Sequence, residues 1–333
     1  MIAPSNRRSF LRIFGTAATG ITVVQKALVK AAQGETVPAP LAVNKLTDNF
    51  LLITGAGANV LAVLGPDGVL MVDGGVPEHS AELLKLVAER SGSKPVQVLF
   101  NTCWDTDHTG SNETLGKAGA KIIAHENTKL WLGAEFESRW RKRTYEPHPK
   151  IALPNQTFYA GTKKMTFGAE PVEYGYMMQA HTDGDIYVYF PGPNILMTGG
   201  VAGGNCYPVL DFDTGGWFGP LDRGGDARYT DAPVPTGLVG AQRTLLKVTN
   251  ADTRIVPGDG PIMTQADLKA ESEMLATVRD RLVKLIRMGY GPNEMVAAKP
   301  TQEFDAKYGN PEQFIRNAYM GLWGHVHELG GIV

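Results

Sequence analysis

Cysteine is nearly absent from this 333-residue chain: there are two, Cys103 and Cys206, so oxidation can build at most one bridge, between them. An excess of either charge is absent as well. Lys and Arg total 32 against 34 Asp and Glu, a formal charge of −2, which leaves no electrostatic footprint for a nucleic acid partner. Long apolar runs are also lacking. The stretch "IFGTAATGITVV" near the N-terminus is too short and too weakly apolar to cross a bilayer, so no stable membrane anchor is expected. No short repeat or low-complexity tract appears. What is present is ordinary for a soluble globular protein: 43% apolar and 20% charged residues, and enough length for one large domain or two small ones around a substantial core. Gly (39) and Pro (21) are slightly generous and predict many tight turns between short elements.

At the N-terminus, "SNRRSFLRIFG" places Arg7 and Arg8 ahead of Phe10 and Leu11; a mildly apolar stretch follows, then Lys26 and Lys30. Residues 1–33 resemble a twin-arginine export signal with cleavage near "VKAA". The resemblance implies a periplasmic mature protein, carried across the membrane already folded and often with its cofactor loaded. Removing the five Lys and Arg of this segment takes the formal charge from −2 to −7.

After a Pro-rich linker, "TVPAPLA", three short runs closed by Gly predict hairpin strands: "NFLLITG", "ANVLAVLG" and "GVLMVDGG". "PEHSAELLKLVAER" has apolar residues at helical spacing, and "PVQVLFNT" reads as a buried strand. A short helix at "NETLGKAG", a strand at "KIIAHE" and a longer helix over "ENTKLWLGAEFESRWRKR" follow, the last expected to pack Trp131 and Trp140 into the core. His125 is expected to be structural. The second half repeats the scheme, with strands at "KMTFG", "PVEYGYM", "IYVYF" and "NILMTGG" and a long loop from Gly203 to Pro235. A helix at "GLVGAQRTLLKVT", the strand "TRIVPG" and C-terminal helices over "TQADLKAESEMLATVRDRLVKLIRMG" and "PEQFIRNAYMGLW" complete it. Antiparallel strands and then strand–helix alternation, twice over, predict an α/β fold: a sandwich of two mixed β-sheets with helices on both outer faces. The domain is expected over 40–333, with a helical extension from about 290. Tyr319, Met320 and Trp323 on that extension offer a face for a homodimer.

The chemistry concentrates in "NTCWDTDHTGSN", residues 101–112, at the carboxyl end of the strand "VQVLF". This stretch resembles the His-x-His-x-Asp-His signature of the metallo-β-lactamase superfamily, and the likeness extends from about residue 45 to 290 in register. "VLMVDGG" matches the strand ending in a structural Asp, here Asp73; "QAHTDGDIYVYFP" matches the segment of the third histidine, here His181. "NILMTGG" matches the segment of the metal-bridging aspartate, and "TRIVPGDGP" that of the last histidine. The departures are as informative. Asp107, His108 and His181 keep the family's ligands; Cys103, Asp105 and Asp259 replace histidines with other ligand types; Gly200 replaces the bridging aspartate with nothing.

The resemblance implies one site from Cys103, Asp105 and His181 and a second from Asp107, His108 and Asp259, with Asp73 supporting them from behind. Thiolate, carboxylate and imidazole are all zinc ligands, and three of them plus water is the catalytic pattern. Two dications about 3.5–4 Å apart need a bridging anion, which Gly200 cannot give, so one tightly held ion is expected. Zinc is the first choice, with iron or manganese as the harder alternatives. A bound dication would acidify a water to supply the nucleophile, with Asp107, or Asp105 if it does not ligate, moving the proton. A Cys103–Cys206 disulfide is the rival state for the thiol. Trp104, Asn205, Tyr207 and Trp217 are expected to line the substrate pocket; His325 and His327 are read as solvent-exposed. The implied activity is metal-dependent hydrolysis of a small molecule: a lactone, lactam, ester, thioester or activated aryl halide. The alternatives are a silent binding protein and a mononuclear iron sulfur dioxygenase.

Overall fold

The computed structural model describes residues 40–220 and 236–325. The expected export signal at 1–33, His327 and most of the second half of the long loop lie outside them. The strands are β1 (Ala42–Lys45), β2 (Phe50–Ala56), β3 (Ala58–Leu64), β4 (Val69–Val72), β5 (Val96–Phe100), β6 (Lys121–His125), β7 (Phe136–Ser138), β8 (Arg143–Tyr145), β9 (Gln156–Phe158), β10 (Thr162–Phe167), β11 (Glu170–Tyr176), β12 (Ile186–Phe190), β13 (Ile195–Gly199) and β14 (Arg254–Pro257). The helices are α1 (Ser80–Ser91), α2 (Thr106–Thr109), α3 (Asn112–Lys117), α4 (Glu126–Gly133), α5 (Gly237–Val248), α6 (Gln265–Arg287), α7 (Pro292–Ala297), α8 (Asp305–Tyr308) and α9 (Glu312–Gly324).

One sheet has the order β1-β2-β3-β4-β5-β6-β9, the other β10-β11-β12-β13-β14. Each is mixed, with β4 to β9 parallel in the first and β13–β14 parallel in the second. Alternation along the strands sorts side chains between two layers, because successive residues point to opposite faces. Phe50, Leu52, Leu70, Val72 and Phe100 meet Tyr174, Val188, Phe190 and Met197 of the other sheet. Their neighbours Leu51, Ile53, Met71 and Leu99 turn outward onto Leu83 and Val87 of α1 and Leu115 of α3. On the far face, Tyr187, Leu196 and Ile255 pack against α5, α6 and α9. This is the expected sandwich with helices on both outer faces. The C-terminal helices are part of it: Met295, Tyr308, Phe314 and Leu322 are buried in the same cluster as α6. No helix among the described residues is long and apolar enough to cross a membrane.

One expected element differs. The helix begun at Glu126 stops at Gly133, and the chain turns into a two-stranded hairpin, β7–β8, whose turn carries Arg139, Trp140, Arg141 and Lys142. A tertiary carboxylate decides this. Asp213 accepts from the backbone N–H of Arg139 at 2.7 Å and of Trp140 at 3.4 Å, and from Arg139 Nε. Trp140 therefore stands on a turn instead of packing a helix into the core.

Candidate metal centre

Parallel β4 and β5 deliver Asp73 and residues 101–105 to the same end of the first sheet. Asp73 sits in the left-handed backbone region at φ 64°, which costs Asp less than most residues. The turn aims its buried carboxylate at three donors: Thr102 N–H (2.8 Å), Thr102 Oγ1 (2.8 Å) and His108 Nδ1 (2.9 Å). Burial opposes protonation of His108, and the neighbouring Cys103, Asp73 and Asp107 overcome it, holding its pKa well above the ordinary value. The loop ends are clamped by a reciprocal amide pair, Asn101 Nδ2 to Asn112 Oδ1 (3.0 Å) and Asn112 Nδ2 to Asn101 Oδ1 (2.9 Å).

The loop brings Cys103 and Asp105 to His181, which follows β11. Their ligand atoms all lie within 4.8 Å of one another, and all three residues are buried. His181 Nε2 is 3.3 Å from Asp105 Oδ2, while its Nδ1 faces Asp185 Oδ1 at 3.3 Å. Asp185 also accepts from the backbone N–H of His181 (2.6 Å) and Thr182 (2.8 Å), so one carboxylate fixes both the turn and the ring. A carboxylate behind a histidine is the usual support for a metal ligand. A tetrahedral ion with bonds of about 2.0–2.3 Å spaces its donors by about 3.3–3.8 Å. The three residues fit such an ion in chemistry, and the His181–Asp105 pair, at 3.3 Å, has that spacing. Both cysteines are free thiols in this structure, Cys103 buried and Cys206 exposed, which leaves Cys103 available as a ligand.

Arg141 comes from the hairpin turn and donates to both oxygens of Asp105, at 2.6 and 2.9 Å. Its guanidinium lies over the rings of Trp104 (5.1 Å) and Trp140 (4.6 Å). It is 3.6 Å from Oδ2 of the buried Asp211, whose Oδ1 accepts from Trp140 Nε1 at 3.0 Å. Burial alone would raise the Asp105 pKa, but Arg141 and His181 outweigh it and hold the carboxyl far below the usual range. That is a correction for Asp105 as a proton carrier: an anion so stabilised is a poor base. For His181, burial opposes protonation, and the hydrogen bonds to Asp105 and Asp185 overcome it, holding its pKa well above the ordinary value.

The second group of expected ligands does not converge. Asp107 Oδ1 is 3.8 Å from His108 Nε2, at the rim of the loop, and burial pushes the Asp107 pKa up. Asp259 is exposed and accepts from the N–H of Gly260 at 2.8 Å, the local bond of an Asp in a turn. Among the described residues, only Cys103, Asp105 and His181 form a group of three or more such donors. Gly200 has a steric reason: a Cβ there would lie 2.6 Å from His181 Cγ and 2.9 Å from Cε1.

The expected pocket residues separate as well. Trp104 is buried beneath Arg141, its Nε1 donating to Thr214 Oγ1 at 3.0 Å. Tyr207 donates to Asp305 Oδ1 at 2.7 Å and stacks on Phe314, which ties it to the C-terminal helices. Trp217 is buried and stacks on His325 at 3.9 Å, so His325 is a packing residue and not a free surface imidazole. Asn205 is an exposed turn residue at φ 76°. His125 is structural: its Nδ1 accepts from Asn127 N–H at the start of α4, and its ring stacks on Tyr176. The residues that sequence reasoning passed over are Arg141, Asp185 and Asp211. Asp185 had a signal, an acid four residues after His181; Arg141 was hidden in the basic run "RWRKR", and Asp211 had none.

A two-sheet sandwich with a buried Cys–Asp–His donor set at the carboxyl ends of its strands defines an α/β protein with a candidate metal site. More closely, residues 53–235 match the family model of the metallo-beta-lactamase superfamily, and the chain belongs to that superfamily, whose members are mostly metal-dependent hydrolases and typically bind zinc. Solved structures agree on the fold. A metallo-beta-lactamase from Pontibacter korlensis is 21% identical, covering 71% of this chain and 98% of its own, with a TM-score of 0.50. One from Hirschia baltica is 15% identical over 71% and 98%, at 0.52. The stereoselective inverting sec-alkylsulfatase Pisa1 from Pseudomonas sp. is 16% identical, covers 84% of this chain and scores 0.59, and the present chain spans 50% of its length.

Proposed function

We propose that the mature protein is an exported, periplasmic hydrolase that acts on a small molecule with one divalent ion held by Cys103, Asp105 and His181. The observation that carries the reading is the buried trio, with its ligand atoms within 4.8 Å of one another and Asp185 behind the imidazole. Zinc suits the thiolate best; iron(II) and manganese are the alternatives that the carboxylates admit. When bound, such an ion polarises an electrophile and acidifies water. The chain supplies the rest. Asp107, at the rim and with its pKa raised by burial, takes up a proton from water and returns it to the leaving group. Asp185 holds the imidazole through Nδ1 and leaves Nε2 to face the ion, while Arg141, over the Trp104 ring, holds Asp105. A lactone, lactam, ester, thioester or activated aryl halide suits this chemistry. The pair Arg7 and Arg8, ahead of Phe10 and Leu11, supports export.

The test is metal content with turnover. Protein purified without chelator and reconstituted with zinc is expected to hold about one equivalent per chain and to hydrolyse members of a panel of chromogenic esters and lactones. His181→Ala is expected to lose the ion. Asp107→Ala is expected to keep it while hydrolysis falls about 10²–10⁴-fold. Wild-type protein that takes up no metal overturns the reading. A metal-free binding protein is the second reading, favoured by one observation, the neutralisation of Asp105 by Arg141. The same measurement separates the two.

A further inference from the structure

The guanidinium of Arg141 is built into the candidate centre from several sides. It forms a two-toothed fork on Asp105, lies against two indole rings, and is carried by a turn that Asp213 holds through backbone N–H groups. Beside it, Asp211 Oδ2 is buried without a hydrogen-bond partner and 3.6 Å from the guanidinium. Among the described residues, Arg141 is the Lys or Arg paired with a carboxylate of the trio. A side chain held from so many directions is not a solvated surface cation.

We infer that Arg141 is a positioning residue that acts as an internal competitor for the metal: it presets Asp105 and weakens the hold of the centre on a dication. The inference rests on the reading of Cys103, Asp105 and His181 as a metal centre. The fork occupies one lone pair on each carboxylate oxygen and leaves another on each, so Asp105 is still able to donate to an ion. A permanent positive charge within hydrogen-bonding reach of that ligand repels an incoming dication, and low exposure keeps water from screening the repulsion. Asp211 is placed to accept the guanidinium when Asp105 turns to an ion. The site is thereby kept neutralised and ordered without metal, at the expense of affinity.

The experiment is a zinc titration against a chromophoric chelator at fixed pH and ionic strength, with circular dichroism confirming that each variant is folded. Arg141→Met is expected to bind zinc about tenfold more tightly, equivalent to about 1.4 kcal/mol. Arg141→Lys, which keeps the charge, is expected to stay within about threefold of wild type. Asp211→Asn, which removes the alternative acceptor, is expected to weaken binding and carries the test if Arg141→Met does not fold. Cobalt(II) substitution adds a spectroscopic readout, a thiolate charge-transfer band reporting Cys103 ligation. Equal affinity in wild type and Arg141→Met, or tightening by Arg141→Lys as large as by Arg141→Met, overturns the inference and leaves the metal centre standing. Failure of wild type and every variant to bind zinc takes down the centre and the inference together.

Discussion

At Gly200, where the family resemblance implies a bridging carboxylate, the His181 ring fills the space that a side chain would need. The glycine and the position of the ring are therefore sterically linked. Restoring the carboxylate by Gly200→Asp is expected to collide with His181, to lower unfolding stability by about 1–3 kcal/mol, and to leave metal content at no more than one ion per chain. Urea unfolding and elemental analysis check both parts; two ions per chain would show that the ring yields. Cys103, Asp105 and His181 were legible in the sequence because the family pattern fixes their register on strand ends. Arg141 was not, since it reaches Asp105 across 36 positions and stands in a stretch that reads as the end of a helix. Asp259 misled for the opposite reason: its register matched, but a short acid in a Gly-flanked turn bonds its own backbone.

The β7–β8 hairpin shows how an element is chosen by contacts that no local pattern contains. Apolar residues at helical spacing favour continuing α4, yet Asp211–Thr214 offers a carboxylate to two N–H groups of the turn, an acceptor to Trp140 and a hydroxyl to Trp104. The central strands, by contrast, were readable directly, because a short apolar run closed by glycine is a local signal. Asp213→Ala is expected to loosen the hairpin selectively, leaving two turn N–H groups without their acceptor. Amide exchange at Arg139 and Trp140 should rise about tenfold, with little change in the sandwich strands, for a loss of about 1–2 kcal/mol of local protection. Exchange unchanged at these two amides would mean that something other than Asp213 holds the turn.

For the molecule as a whole, the outer helices of the second sheet are joined through one buried acid. Glu271 on α6 accepts from Gln242 of α5 at 2.7 Å and from the N–H of Gly203 at 2.8 Å, tying two helices to the loop after β13. Its other oxygen, Oε2, has no hydrogen-bond partner among the described residues. Burial raises the pKa from 4.5 to about 7, against the pull of the two hydrogen bonds and Lys307. Because the folded value lies above the unfolded one, the folded protein binds more protons between those two pH values, and stability falls as pH rises through that window. The full effect is about 3 kcal/mol, the free-energy equivalent of raising the pKa from 4.5 to about 7. Glu271→Gln keeps an acceptor for both donors and cannot ionise. Urea unfolding at a series of pH values is therefore expected to give a flatter profile for the variant between pH 4.5 and about 7, with the variant more stable than wild type at pH 8 once the profiles are matched at low pH. Parallel profiles would place the titration elsewhere, and with it the strain that this helix pair carries at neutral pH.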